Sequence, residues 1–192
     1  TPEAGRAFAW WWVSLCMHDQ HALANESAQW ARAVHERFGN DYYGGAGRMV
    51  AAAMTLSWTR PYAESFAEAG EGARLLNLSG NMQFASYGLI TQHIIAVAEA
   101  ADCQAMLSTC ETWAAYCARH VPLELGQAQI RRYCVERLLG LNPVAVDCEA
   151  IVQTYAAQNN ATDVCESLTE MARFALLTDD FAAALALTER VH

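Results

Sequence analysis

The densest chemistry in this sequence lies in "CMHDQH", where Cys16, His18, Asp19 and His21 fall within one helical stretch. Histidines at i and i+3 can share a metal ion on one helix face. No second cluster supplies the remaining ligands of a four-coordinate site, and the HExxH spacing is absent, so these histidines read as residues near the negative end of a helix dipole. The glycine run "YYGGAGRM" has no strand before it and no Lys-Ser/Thr after it. Close helix contact, rather than a phosphate cradle, is its expected role, at about 1 kcal/mol of helix propensity per glycine. Glu64, Glu68 and Glu71 share a helix face, which with no basic partner expected nearby reads as a solvated acidic face. Asp102, Asp163 and Asp179–Asp180 read as helix caps. Cysteines at 16, 103, 110, 117, 134, 148 and 165 form no CxxC pair; Cys103, Cys110 and Cys117, spaced by seven, read as small apolar side chains in a helix seam. No Gly-x-Ser-x-Gly elbow, DDxxD pattern or Cys/His signature appears.

The composition narrows the function classes further. All 12 basic residues are arginines, which removes the usual phosphate-loop lysine and Schiff-base chemistry. The net charge of −9 argues against a nucleic-acid surface, which needs basic residues to replace counterions. With 54% hydrophobic and 17% charged residues, the 192-residue chain can bury a large core and is not a disordered composition. Its best apolar run, "LITQHIIAVAEAA", is broken by Gln92, His93 and Glu99, so no membrane span is expected. Free cysteines, no signal peptide and a chain opening on Thr1 suggest a cytoplasmic piece of a longer polypeptide, with no cofactor implied.

Positioning elements are helical throughout. Ala, Leu, Glu, Gln, Met and Arg dominate, apolar residues recur at three and four, and nothing alternates like a strand. Gly, Pro, Asn and Asp punctuate the chain at 38–41, 78–81, 120–124, 141–147, 158–163 and 176–180. Softer breaks fall at Asp19–Gln20, Arg60–Pro61 and Ala101–Asp102. About ten helices follow.

Two of the breaks match. "GNDYYGGAGRMV" and "GNMQFASYGLIT" start at Gly39 and Gly80, pairing Asn40 with Asn81, Tyr43 with Phe84 and Gly47 with Gly88. An aromatic one turn before a glycine puts an anchor beside a notch, and a two-helix repeat of about 40 residues is an α-solenoid signature. Near the end, "LLTDDFAAALALTERV" resembles the second-helix opening of tetratricopeptide repeats, with Phe181 as the aromatic and Ala184 as the small residue. The likeness is to the longer, divergent repeats that follow the ATPase module of maltose-regulon-type activators and multidomain sensor kinases. It implies an all-α, right-handed superhelix of about five antiparallel helix pairs, occupying 1–192 as a single array.

Under that resemblance the chain is a non-catalytic interaction or regulatory module, which binds a protein or peptide along its groove or contacts neighbouring domains of the same chain. The groove would be lined by Arg48, Met82, Leu89, Gln92, His93, Arg132 and Tyr133, with Arg131 and Ala51–Ala52 beside them, and would suit an acid-rich peptide. His93 reads equally well as a satisfied interior histidine. Trp10, Trp11 and Trp12 sweep roughly 200° of a helix. They are expected to form an end face that meets a neighbouring helix or a second copy. Two rivals remain: a small-molecule sensor whose pocket uses Trp11, Trp58, Tyr87 and Trp113, and a small all-α enzyme.

Overall fold

The computed structural model describes residues 2–99 and 102–191; Thr1, Ala100, Ala101 and His192 lie outside that description, as do the side chains of Pro2, Glu3, Arg6, Ala9, Ala28, Thr55 and Trp58. All regular structure among the described residues is helical. It comprises α1 (Pro2–Met17), α2 (His21–Phe38), α3 (Asp41–Ala51), α4 (Ser57–Thr59), α5 (Tyr62–Leu78), α6 (Met82–Ala98), α7 (Cys103–His120), α8 (Leu125–Leu138), α9 (Cys148–Ala157), α10 (Ala161–Leu177) and α11 (Phe181–Glu189). A π-helical turn, Ala52–Leu56, joins α3 to α4 without a break, so the described residues make the ten rods expected from the sequence.

The breaks have a common chemistry. Asn40, Asn81, Asp102, Asp147, Asn160 and Asp180 each accept a hydrogen bond from the backbone N–H three residues on, satisfying a donor that the first helical turn leaves orphaned. Asp163, expected as a cap, instead sits one turn inside α10 and donates its N–H to Asn160 Oδ1. Helix ends close with a left-handed residue at Asp19, Gly80, Gly140, Asn159 and Asp179. The following N–H then returns to the carbonyl five residues earlier, as in Gln20 to Leu15, Asn81 to Leu76, Asn160 to Tyr155 and Asp180 to Ala175. This is the Schellman closure, and at 81, 160 and 180 its last residue already caps the next helix. The result is a connection with almost no slack.

The chain divides into two compact units, residues 1–101 and 102–192. In the first, α3 packs against α1, α2, α5 and α6, and α5 also packs on α6. In the second, α8 packs on α7, α9 and α10, and α10 packs on α9 and α11. Within each unit some helices therefore touch the helix one step further along as well as their sequence neighbours, as α1 does α3 and α8 does α10. The first core gathers Trp12, Ala24, Ala51 and Leu56, with Ala52, Ala69 and Ile95 in a second cluster. Close approach of α3 and α5 depends on glycine. A Cβ on Gly45 would lie 2.9 Å from the Gly72 carbonyl oxygen, and one on Gly88 would lie 2.9 Å from Ala73 Cβ of α5. Gly47, expected to match Gly88 as a notch, faces open space instead; Gly45, two residues earlier, makes the contact.

In the second unit Leu107, Cys110 and Val135 form one apolar cluster. A polar set lies across it. Arg131 is 5% exposed, donates to Glu170 at 3.2 Å and to Glu166 at 3.4 Å, and lies over the Trp113 ring. Tyr155 of α9 accepts the Gln127 N–H from the first turn of α8 at 3.0 Å, and Gly126 leaves room for its ring. Burial pushes the Tyr155 phenol up to about 12.

Candidate functional site

Two concavities stand out, one in each unit. The first, of about 40 Å³, lies among α1, α2, α3 and α5. Trp12 enters it from α1, Asn25, Arg32 and His35 from α2, Arg48 from α3 and Glu68 from α5. Arg32 and Arg48 share the single Glu68 carboxylate, Arg48 through an Nη1 contact of 2.6 Å. Arg60 pairs with Glu64 at 3.0 Å on the rim. Burial, and then the charges of Arg48 and Arg60, pull the Arg32 guanidinium below its ordinary range, although Glu36 and Glu64 oppose this. The polar atoms Trp12 Nε1, Asn25 Oδ1, His35 Nδ1 and Arg48 Nε are buried without a hydrogen-bond partner.

The second is an open groove of about 520 Å³ on the other unit. Its walls are Gln129, Arg132, Tyr133 and Glu136 of α8 and Ala150, Ile151 and Thr154 of α9, and the extended residues 144–147 form its side. Arg132 Nε donates to Glu136 Oε1 at 2.8 Å, and Asp147 caps α9. Val144 is 89% exposed. The groove's charges are thus matched or committed, and Gln129 and Thr154 are the polar residues left among its aromatic and aliphatic walls.

The expected groove residues separate on this framework. Arg132 and Tyr133 line the open groove together. Arg48 lines the closed cavity and is held by Glu68. Met82 and Leu89 are half-buried on α6, Gln92 donates to the Phe66 carbonyl at 3.2 Å, and His93 is fully buried. His93 is therefore an interior histidine, not a surface contact. Arg131 likewise turns into the core.

The acidic face read from Glu64, Glu68 and Glu71 is corrected as well. Each glutamate has an arginine partner, and for Glu68 these come from α2 and α3. The three indoles divide by direction: Trp12 is 2% exposed, Trp10 is 52% exposed, and Trp11 stacks on Trp30 at 6.1 Å and tilts against Phe8. Of the aromatic residues assigned to a sensor pocket, Trp113 is buried in the second unit, Trp11 and Tyr87 are exposed in the first, and Trp58 lies outside the described side chains. Among the described residues no group of three or more His, Cys, Asp or Glu is placed to hold a metal ion. None of the described helices is long and apolar enough to cross a membrane.

Sequence reasoning missed Trp12, Asn25, Arg32 and His35 as cavity walls. A signal existed in Trp12, because a helix with three consecutive indoles must turn one of them inward. The chain matches no protein-family model, no curated protein and no solved structure.

Proposed function

We propose that this chain is a tetratricopeptide-like helical-repeat module that grips a peptide or protein partner through its surface grooves. It would act as a non-catalytic regulatory arm, of the kind found beside signalling ATPases and kinases. The observation that carries this reading is the open groove between α8 and α9, where Arg132 and Tyr133 meet Val144, Val146 and Ile151. Contacts such as α1 with α3 and α8 with α10, beside those between sequence neighbours, support a stack of hairpins, as the resemblance implies. Because Arg132 is paired with Glu136, the groove suits apolar anchor residues of a peptide better than a run of acids. Exposed Trp10, with exposed Trp11 and Trp30 packed around the half-buried Phe8, supplies a second surface, suited to self-association.

The groove is tested by selecting binders from a displayed library of short random peptides on the full chain. The expected result is enrichment of peptides with aliphatic or aromatic anchors whose affinity falls at least about tenfold on Tyr133→Ala or Ile151→Asp, the effect of losing one buried anchor contact. A library that yields no binder, or binders indifferent to both folded variants, refutes the groove reading. Sedimentation of the full chain tests the aromatic face, which predicts a dimer that Trp10→Glu dissolves.

A further inference from the structure

The cavity of the first unit asks for a ligand of its own. Its described walls carry Arg32, Arg48 and Arg60 against one glutamate, Glu68. Glu64 pairs with Arg60 on the rim and Glu36, exposed on α2, also acts on Arg32, so the three guanidinium charges are balanced and the case for a ligand rests on buried donors that lack an acceptor. Trp12 is 98% withdrawn from solvent by its 2% exposure, lines the cavity, and has an indole N–H without an acceptor. Arg48 gives its Nη1 to Glu68, while its Nε–H, half of the side-on fork that grips a carboxylate, is also unpartnered. Buried donors of this kind destabilise the fold when unpaired. An acceptor anion recovers that loss.

We propose that this cavity is a binding site for a short-chain monocarboxylic acid, whose carboxylate is taken by Arg48 Nε–H, the Arg32 guanidinium and the Trp12 indole N–H. Two features narrow the ligand class beyond an acceptor for the unpartnered Trp12 and Arg48 donors. About 40 Å³ is room for roughly three water-sized groups, so a carboxylate and one to three carbons fit and a drug-sized metabolite does not. Ala31, Ala51 and Leu56 complete the wall with aliphatic surface, which suits a short tail and not the fourth oxygen of a phosphate. Asn25 reinforces the site: a half-turn of its amide presents the NH2 in place of the unpaired Oδ1. Entry is from the side of Arg32 and Arg60, whose side chains keep 43% and 35% of their surface in solvent. The π-helical turn Ala52–Leu56 carries Leu56 into the same wall, and such turns concentrate at binding sites. This inference is independent of the groove in the second unit.

The test titrates the full 192-residue chain with acetate, propionate, butyrate and, separately, inorganic phosphate, by calorimetry and by the Trp12 indole N–H resonance of 15N-labelled protein. Propionate or butyrate is expected to saturate on the millimolar scale and to move that resonance, with phosphate doing neither. Trp12→Phe, which keeps the ring and loses the donor, is expected to weaken binding about tenfold, as for one lost hydrogen bond to a charged group. Arg48→Met is expected to weaken it at least as much. Absence of saturation by any acid up to roughly 50 mM, well above a millimolar Kd, overturns the proposal. So does binding of phosphate alone, or a folded Trp12→Phe variant that keeps wild-type affinity. If that variant does not fold, the indole resonance of the wild-type chain decides by itself: no shift at saturation overturns the site.

Discussion

Alanine at position 45 and alanine at position 47 differ by half a helical turn and should have opposite effects. At Gly45 the added Cβ would lie 2.8 Å from Leu76 Cγ and 2.9 Å from both the Gly72 oxygen and the Leu76 nitrogen. Two of these three obstacles are backbone, which cannot swing aside, so α3 and α5 must part along their whole contact. Overpacking of this kind costs about 3 kcal/mol at the upper end of its range, and replacing a helical glycine by alanine returns about 1. The net expectation for Gly45→Ala is a loss of about 2 kcal/mol. At Gly47 the new methyl meets nothing within 4 Å, so only the propensity gain remains, about 0.5–1 kcal/mol. The two variants should therefore differ by roughly 3 kcal/mol in urea unfolding followed by helical circular dichroism. Equal midpoints, or a Gly45→Ala chain that outlasts Gly47→Ala, would refute the placement of α3 against α5.

Two further outcomes follow in the second unit. Arg131→Met should cost about 3 kcal/mol, because it leaves Glu170, 6% exposed, with only Arg173 as a counter-charge. Adding Glu170→Leu should recover most of the loss in the same unfolding assay, and a single variant as stable as the parent would dismiss the network. Asp163 is held above its ordinary carboxyl value chiefly by burial, with the Asn160 hydrogen bond opposing. A raised folded pKa makes the ionised group a cost at neutral pH, a cost that disappears as pH falls through the raised value to below the unfolded 3.8. Asp163→Asn, which keeps only one of the two oxygens that Gln127 and Asn160 donate to, should accordingly gain on the parent chain as pH rises from acid to 7; a difference independent of pH would contradict the assignment.

Where the sequence spoke through local chemistry, it was legible. Gly39–Asn40 and Gly80–Asn81 announce a left-handed residue and a cap with no knowledge of the tertiary fold, and both pairs adopt that conformation. Pro61 and Asp102 mark helix starts just as locally. Facing was harder to read. In "YYGGAGRM" the helical period cannot tell whether Gly45 or Gly47 meets the neighbour, since the neighbour's position is set 27 residues on, at Gly72. Arg131 and Arg132 sit about 100° apart on one helix. That rotation sends the first to Glu170 and leaves the second in the groove. The acidic face failed at Glu68 for the same reason, because its partners Arg32 and Arg48 come from other helices, whereas Arg60 and Arg74, the partners of Glu64 and Glu71, lie within one helical turn in the sequence itself. Of the candidate site, the sequence indicated Arg132 and Tyr133 together and Arg48 alone, and it missed the remainder of the closed cavity.

The overlapping turns have a mechanical corollary. Where the residue that finishes one helix also starts the next, as at Asn81, Asn160 and Asp180, the joint behaves as a welded elbow and cannot lengthen without undoing two hydrogen-bond patterns at once. The extended stretch before α9 has no such double closure, and its residues 144–147 are also a wall of the groove. An occupant there would press on an unwelded joint, so occupancy would be felt as a change in the tilt of α9 against α8.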